Sequence, residues 1–426
     1  MFSTSVRFPM PGAWKRWLAQ PLISGVLTCS MLNGGLAYAS TESARQELAR
    51  AEQRLVEILA QIERRELNTA FRAVTELTEE VPHFRAAQLV YADLLRLRTG
   101  GTPQGQQLAL SQALPSKRNQ GIADQSIAPP EFFQGLQSEI QRRRLAALDQ
   151  PPPGKIPSNF LHLSPSVRHA IAVDTSKSRL YVFTNGPQGV ELINNFYITV
   201  GRQGVNKRVE GDQRTPLGVY FVGRHIPGTK LPDLYGKGAL TVNYPNDWDR
   251  VLGRTGSGIW LHGVPSDQFA RVPQASDGCV VLSNPDIAFL LDSIDRRTPV
   301  LIAETLEWVE PQWTRPTASK DSFLQDLEQW KQAWRQGDTQ RLSTLYSAEL
   351  AQPEPLNKRR SRLSAYGPLS QLDIKDMSIY NWQESAGEIR IVNLHVATTK
   401  GSAPTVRQYW RKEAGRWQIF SEDVLS

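Results

Sequence analysis

The stretch from Ile259 to Asn284 constrains this chain more than any other. It reads Ile259-Trp260-Leu261-His262-Gly263, then a loop, then Ser276-Asp277-Gly278-Cys279-Val280-Val281-Leu282-Ser283-Asn284. Each half is a short apolar run meeting a reactive side chain, as expected of two buried strands that carry chemistry at their ends. Sixteen residues separate His262 from Cys279, too many for one hairpin turn, so the intervening loop should border the site. A free thiol has a pKa of about 8.5, and an imidazole that takes its proton leaves a strong nucleophile. Gly278 lets the backbone bend tightly before the sulfur. The amides near Gly278 and Cys279 are candidate donors to a tetrahedral oxyanion, and the Gly263 carbonyl is the simplest group to fix the tautomer of His262.

His262-Gly263, a spacer of this length, then Ser276-x-Gly278-Cys279 with Asn284 five residues on, resembles the signature of the L,D-transpeptidase catalytic domain (YkuD) family. Arg214-Thr215-Pro216-Leu217-Gly218-Val219-Tyr220 is similar to that family's Thr-Pro-x-Gly-x-aromatic element. The resemblance implies a β-sandwich-like domain with Cys279 as nucleophile, His262 as base and Gly263 and Gly278 as backbone elements of the site. Ser276 and Asn284 become candidate substrate contacts. Two positions depart from the pattern. Asp277 stands where members often have a second His. Val281 stands where many carry an Arg that touches substrate, leaving Arg254 or Arg271 as candidate replacements. No metal motif is present, no cofactor is expected, and His225 reads as a loop histidine.

Residues 1–39 read as a signal peptide. Arg7, Lys15 and Arg16 precede an apolar stretch, and Ala37-Tyr38-Ala39 offers a cleavage site before Ser40. Uncleaved, the stretch would be a mediocre anchor. The expected location is the periplasm or its equivalent. Cys29 would leave with the leader, so Cys279 would be the mature chain's one thiol, in an oxidising compartment where an idle thiol is a liability. The formal charge of +7 falls to about +4 without the leader's three cations, a balance that suits an acidic wall polymer. The compartment and the lack of a basic helix argue against nucleic acid.

The 426 residues, 40% hydrophobic, allow several domains. Residues 40–98 read as a helical, tetratricopeptide-like region that needs a neighbour, a second copy or a protein partner to cover its apolar face. Residues 99–155 read as a linker with one helix, Glu131 to Leu148, whose apolar positions include Leu145 and whose Arg142-Arg143-Arg144 faces solvent. Residues 156–304 show strand-like runs at 169–173, 179–184, 190–200, 218–222, 239–242, 258–262, 279–282 and 300–303, with one helix at 286–296: a mostly-β domain. Residues 305–318 form a second linker. Residues 319–426 read as α+β, with Phe323, Leu327, Trp330 and Trp334 on one helix face and four strands after it. Trp334-x-x-Gly337-Asp338 and Gly415-Arg416-Trp417-Gln418-Ile419 are similar to NTF2-like (SnoaL-like) folds, and Asn357-Lys358-Arg359-Arg360 reads as a solvated loop.

This three-part layout resembles the helical cell-shape L,D-carboxypeptidases. The resemblance implies attack of Cys279 on a peptidoglycan stem tetrapeptide with loss of D-Ala. Transfer to an amine gives a transpeptidase, and transfer to water gives a carboxypeptidase or hydrolase. A non-catalytic wall-binding or assembly protein is the alternative of another class.

Overall fold

The computed structural model describes residues 29–99, 130–311, 322–348, 350–351, 373–385, 387–397 and 405–425. The leader up to Thr28, the stretch 100–129, the second linker from residue 312 and the basic run at 357–360 lie outside the described residues. Among the described residues no helix is long and apolar enough to cross a membrane.

Three helices open the chain: α1 (Cys29–Glu63), α2 (Leu67–Glu80) and α3 (Arg85–Thr99), followed by α4 (Pro130–Leu148). α1 runs through the expected processing point at Ala39-Ser40 without a break. Ala70, Val74 and Leu77 form one face of α2 and bury against Leu55 and Ile58 of α1 and Phe84, Ala87 and Val90 beyond it. Their spacing of three and four residues is what an amphipathic helix requires.

The strands are β1 (Ile156–Pro157), β2 (Phe160–His162), β3 (His169–Asp174), β4 (Arg179–Gly186), β5 (Gly189–Tyr197), β6 (Val200–Gly201), β7 (Gly218–Pro227), β8 (Gly238–Val242), β9 (Trp260–His262), β10 (Gln274–Ser276), β11 (Val280–Val281), β12 (Pro299–Ala303) and β13 (Trp308–Val309). Two short helices interrupt them, α5 (Asp247–Val251) and α6 (Asn284–Ser293). Eight strands form one sheet in the order β11-β9-β8-β7-β12-β3-β4-β5. Its faces alternate with period two. Ile171, Val173, Leu180 and Val182 point to the core that includes α6, while Ala170, Ala172, Tyr181 and Phe183 point to the other side.

That second side is covered by the C-terminal domain. It comprises α7 (Ser322–Gln336), α8 (Thr339–Leu345), β14 (Asp373–Glu384), β15 (Gly387–Ala397), β16 (Thr405–Glu413) and β17 (Arg416–Leu425). Phe323, Leu327, Trp330, Ala333 and Trp334 of α7 pack on one face of its sheet. Tyr380, Ile391, Tyr409 and Phe420 on the other face join the catalytic sheet's alanine-lined side. Here β2 is the fifth strand, paired with β14, so the segment leading into the catalytic domain is stitched into the C-terminal sheet. The fold is therefore an α-helical N-terminal region, a mostly-β centre and an NTF2-like α+β end.

The structure corrects the reading of α4. Leu145 is 53% exposed, and Arg143 is 1% exposed rather than solvated. Arg143 meets Glu139 one turn away at 2.9 Å and Glu52 of α1 at 3.1 Å, and Glu52 also pairs with Arg179 of β4. Burial alone would raise the Glu52 carboxyl, but Arg179 and Arg143 overcome it and hold it below the usual carboxylate range. Arg144 does face solvent, 40% exposed beside Glu63. Periodicity missed this because a buried ion network looks polar in sequence. Removing one partner of such a network leaves charge buried without compensation, so Arg143→Ala should cost about 3–5 kcal/mol in urea denaturation. Arg144→Ala should cost under about 0.5 kcal/mol. Equal effects would contradict the assignment.

Candidate active site

β9 and β11 lie side by side and parallel, with Val280 opposite Leu261 and Val281 opposite His262. Leu261 and Val280 face the core. By strand alternation Trp260, His262 and Cys279 share the opposite face, with Cys279 and His262 on adjacent tracks about 8 Å apart at Cα. β9 is buried at its centre and ends at His262, so the ring stands at the rim of the sheet.

The turn before Cys279 is over-determined. Gly278 has φ +123°, and a Cβ there would meet the Arg214 carbonyl oxygen at 2.7 Å. The fully buried Thr215 hydroxyl donates to the Gly278 carbonyl at 2.9 Å and accepts from the Gly201 amide at 2.9 Å. Thus the Thr-Pro element braces the turn rather than touching substrate. Ser276 donates from Oγ to the Cys279 carbonyl at 2.6 Å and accepts from the Gly278 amide at 3.1 Å. Its side chain is buried and engaged, which corrects its candidacy as a substrate contact. The Gly278 amide is engaged for the same reason. Among the described residues, no intramolecular bond claims the Cys279 amide, which leaves it as the donor of this turn.

Asn284 is also structural. Its Oδ1 accepts from the Lys237 amide at 3.0 Å and its Nδ2 donates to the Val264 carbonyl at 2.9 Å, tying the loop before β8 to the one after β9. A Cβ on Gly263 would sit 2.4 Å from Asn284 Oδ1, so glycine is the residue that fits there. The Gly263 carbonyl accepts from His262 Nδ1 at 2.7 Å, which fixes the Nδ1–H tautomer and leaves Nε2 unprotonated. The Tyr235 ring lies edge-on to the imidazole, centroids 4.9 Å apart.

The thiol donates to the Gly258 carbonyl, Sγ to O 3.4 Å, and receives the Trp260 amide. Burial pushes Cys279 up to about 11, and burial pulls His262 down to about 4. The resting pair is therefore a neutral thiol beside a neutral imidazole, and a base that stays unprotonated at neutral pH is competent to receive the proton during attack.

Three cations approach this centre. Arg271 acts electrostatically on both Cys279 and His262, and its Nη2 reaches the Leu234 carbonyl at 3.3 Å. Lys207 also acts on Cys279 but is buried against Asp212 at 2.7 Å. Arg202 pairs with Asp277 at 2.7 Å. Arg254 is the correction: its guanidinium joins Asp249 at 3.0 Å and Glu384 of the C-terminal domain at 2.8 Å, so it serves the domain seam. Val281, in place of the resemblance's Arg, is buried and bridges to Thr199. His225 is exposed on β7 rather than in a loop. Sequence reasoning missed Lys207, Arg202 and Tyr235; the dense charge of residues 202–214 was the available signal for the first two.

Residues 168–302 match the L,D-transpeptidase catalytic domain (YkuD), and residues 322–423 match the Cds6 C-terminal NTF2-like domain. Bd1075 of Bdellovibrio bacteriovorus is a similar solved structure at 27% identity, covering 64% of this chain and 98% of that chain with a TM-score of 0.47. The helical cell shape determining protein Pgp2 from Campylobacter jejuni is similar at 21% identity, covering 66% and 97%, with a TM-score of 0.47. An L,D-transpeptidase from Mycobacterium smegmatis is similar at 18% identity, covering 32% and 58%, with a TM-score of 0.21. No curated protein matches.

Two outcomes follow from the geometry. Iodoacetamide should alkylate Cys279 slowly at pH 7, with the rate climbing about tenfold per pH unit and still rising past pH 9.5; a plateau near the ordinary thiol value of about 8.5 would contradict a half-buried, neutral sulfur. Gly278→Ala should lower the urea midpoint and cut the alkylation rate of the native state, because the left-handed turn and the Arg214 carbonyl exclude a methyl group. Wild-type behaviour in both would show the turn to be slack.

Proposed function

We propose that this chain, which carries a YkuD-type L,D-transpeptidase domain and an NTF2-like domain, is a cysteine enzyme of peptidoglycan stem peptides acting outside the cytoplasm. The observation that carries the reading is the shared sheet face of Cys279 and His262, with Nε2 left unprotonated by the Nδ1–Gly263 bond.

Cys279 attacks the carbonyl between the diamino acid and terminal D-Ala of a tetrapeptide. As the C–S bond forms, the thiol leaves the Gly258 carbonyl and passes its proton to His262 Nε2. The developing oxyanion meets the Cys279 amide, a donor of the kind that stabilises such intermediates by about 2.7–4 kcal/mol. The C–N bond then breaks, His262 returns the proton to the leaving nitrogen, and D-Ala departs from a thioester. An amine acceptor regenerates the thiol with a new peptide bond, which makes the enzyme an L,D-transpeptidase. Because base and nucleophile are both neutral at rest, the acid limb of activity falls where His262 gains a proton, near pH 4 instead of the usual 6.5. Below that limb Nε2 cannot accept.

Hydrolysis is the second reading. The match of residues 322–423 to the Cds6 C-terminal domain favours it, since the whole layout resembles the cell-shape L,D-carboxypeptidases. Tetrapeptide muropeptides separate the readings. Linked dimers with release of D-Ala mean transfer, and tripeptide monomers mean hydrolysis. Cys279→Ala should remove either product by at least about a thousandfold while retaining the wild-type fold. Wild-type protein that leaves every stem peptide unchanged would turn the reading toward a wall-binding protein, and turnover by Cys279→Ala would move the chemistry elsewhere.

A further inference from the structure

The loop between β9 and β11 is held from two directions, and one of them is the N-terminal helical region. Phe269 at its tip stacks on Phe84, ring centroids 4.3 Å apart and 25° from parallel. Val272 packs with Leu136 of α4, and a Cβ on Gly135 would already touch Val272 at 3.1 Å. From the sheet side, Tyr197 Oη and Thr199 Oγ1 donate to the Arg271 carbonyl at 3.0 and 2.9 Å. The Tyr197 ring is itself capped by Arg143 of α4, the guanidinium 3.7 Å from its centroid. Helical residues thus fix the backbone on both sides of Arg271.

Arg271 Nη2 reaches the Leu234 carbonyl, next to the Tyr235 ring that meets His262, and no carboxylate is bonded to it among the described residues, although the charge of Asp277 also acts on it. Among the described residues it meets one acceptor, the Leu234 carbonyl, against five donors on a guanidinium. Arg202, Lys207 and Arg254 each hold an acid already. A stem peptide whose last bond is cut beside Cys279 brings a terminal carboxylate within reach of that centre, and Val281 supplies no charge to meet it. A cavity of about 190 Å³ lined by Phe84, Leu136, Phe269, Arg271, Val272 and Ala275 lies at the same seam. The seam is therefore incompletely packed, and Phe269 carries much of the grip on the loop.

We propose that Arg271 binds the terminal carboxylate of the stem peptide, and that the helical region is a positioning part of the active centre, holding Arg271 in place through Phe84, Leu136 and Phe269. This rests on the stem-peptide reading above for its substrate, but not for the charge beside the thiol.

The test compares alkylation of Cys279 in the full chain by iodoacetate and by iodoacetamide. Both form the same C–S bond and lose iodide, but only iodoacetate carries a carboxylate. The wild-type rate ratio should favour the anion, and Arg271→Gln should lower it about tenfold, with Arg271→Lys keeping most of it. Phe269→Ala should lower it in the same direction, about threefold, although Phe269 does not touch the reagent. Phe269→Leu serves if the alanine variant fails to fold. With tetrapeptide, Arg271→Gln and Phe269→Ala should raise KM and leave kcat within about twofold. An unchanged ratio in Arg271→Gln overturns the anchor. A lowered ratio there with a wild-type ratio in both Phe269 variants overturns the role of the helices. A ratio that follows the expected pattern in protein inert to every stem peptide supports the charged site and removes the peptide reading alone.

Discussion

One buried hydroxyl holds the catalytic turn together. Thr215 Oγ1 joins the Gly278 carbonyl to the Gly201 amide, linking three segments that are remote in sequence. That bridge is one of the constraints that keep Gly278 in its left-handed backbone and set where Cys279 leaves the turn. Such an unfavourable conformation persists only where its surroundings over-determine it. The Ser276 staple and the close approach of the Arg214 carbonyl complete that surrounding. The Thr-Pro element, 63 residues upstream of Cys279's neighbour Gly278, is thus a brace for the turn that carries Cys279.

The same closeness determines the electrostatics. A thiol and an imidazole at the rim of a buried sheet lose solvation, and each is driven to its neutral form. Neutrality leaves the sulfur a thiol and the ring an imidazole at rest. It also gives the surrounding cations a purpose. Charge near the thiol can attract an anion, while the acids paired with Lys207 and Arg202 moderate the field.

The pairing of the Cys279 and His262 strands, the strand-rich centre and the helix-then-strand order of the last domain were all legible in sequence. Reactive side chains at the ends of short apolar runs, and the spacing Phe323-Leu327-Trp330-Trp334, are local signals that tertiary packing had no reason to override. What could not be read is every role set by distant partners. Ser276 and Asn284 look like polar residues beside a nucleophile, yet both are fully engaged by backbone groups. Arg254 looks like a spare cation until Glu384, 130 residues away, appears beside it. Arg143 sits in a run of three arginines that reads as surface, and only the fold brings Glu52 to it. The coverage of the active-site loop by the helical region belongs to the same class: Phe84 and Phe269 carry no mark of each other in the chain.

The central claim is that His262 is a neutral imidazole protonated on Nδ1, on the sheet face it shares with Cys279. Long-range nitrogen–proton correlation spectra of the full chain labelled at histidine report tautomer and charge directly. The account predicts an Nδ1–H signature for His262 that persists from pH 8 to about pH 5, with protonation only near pH 4. An Nε2–H tautomer, or titration at the ordinary value of about 6.5, would contradict it.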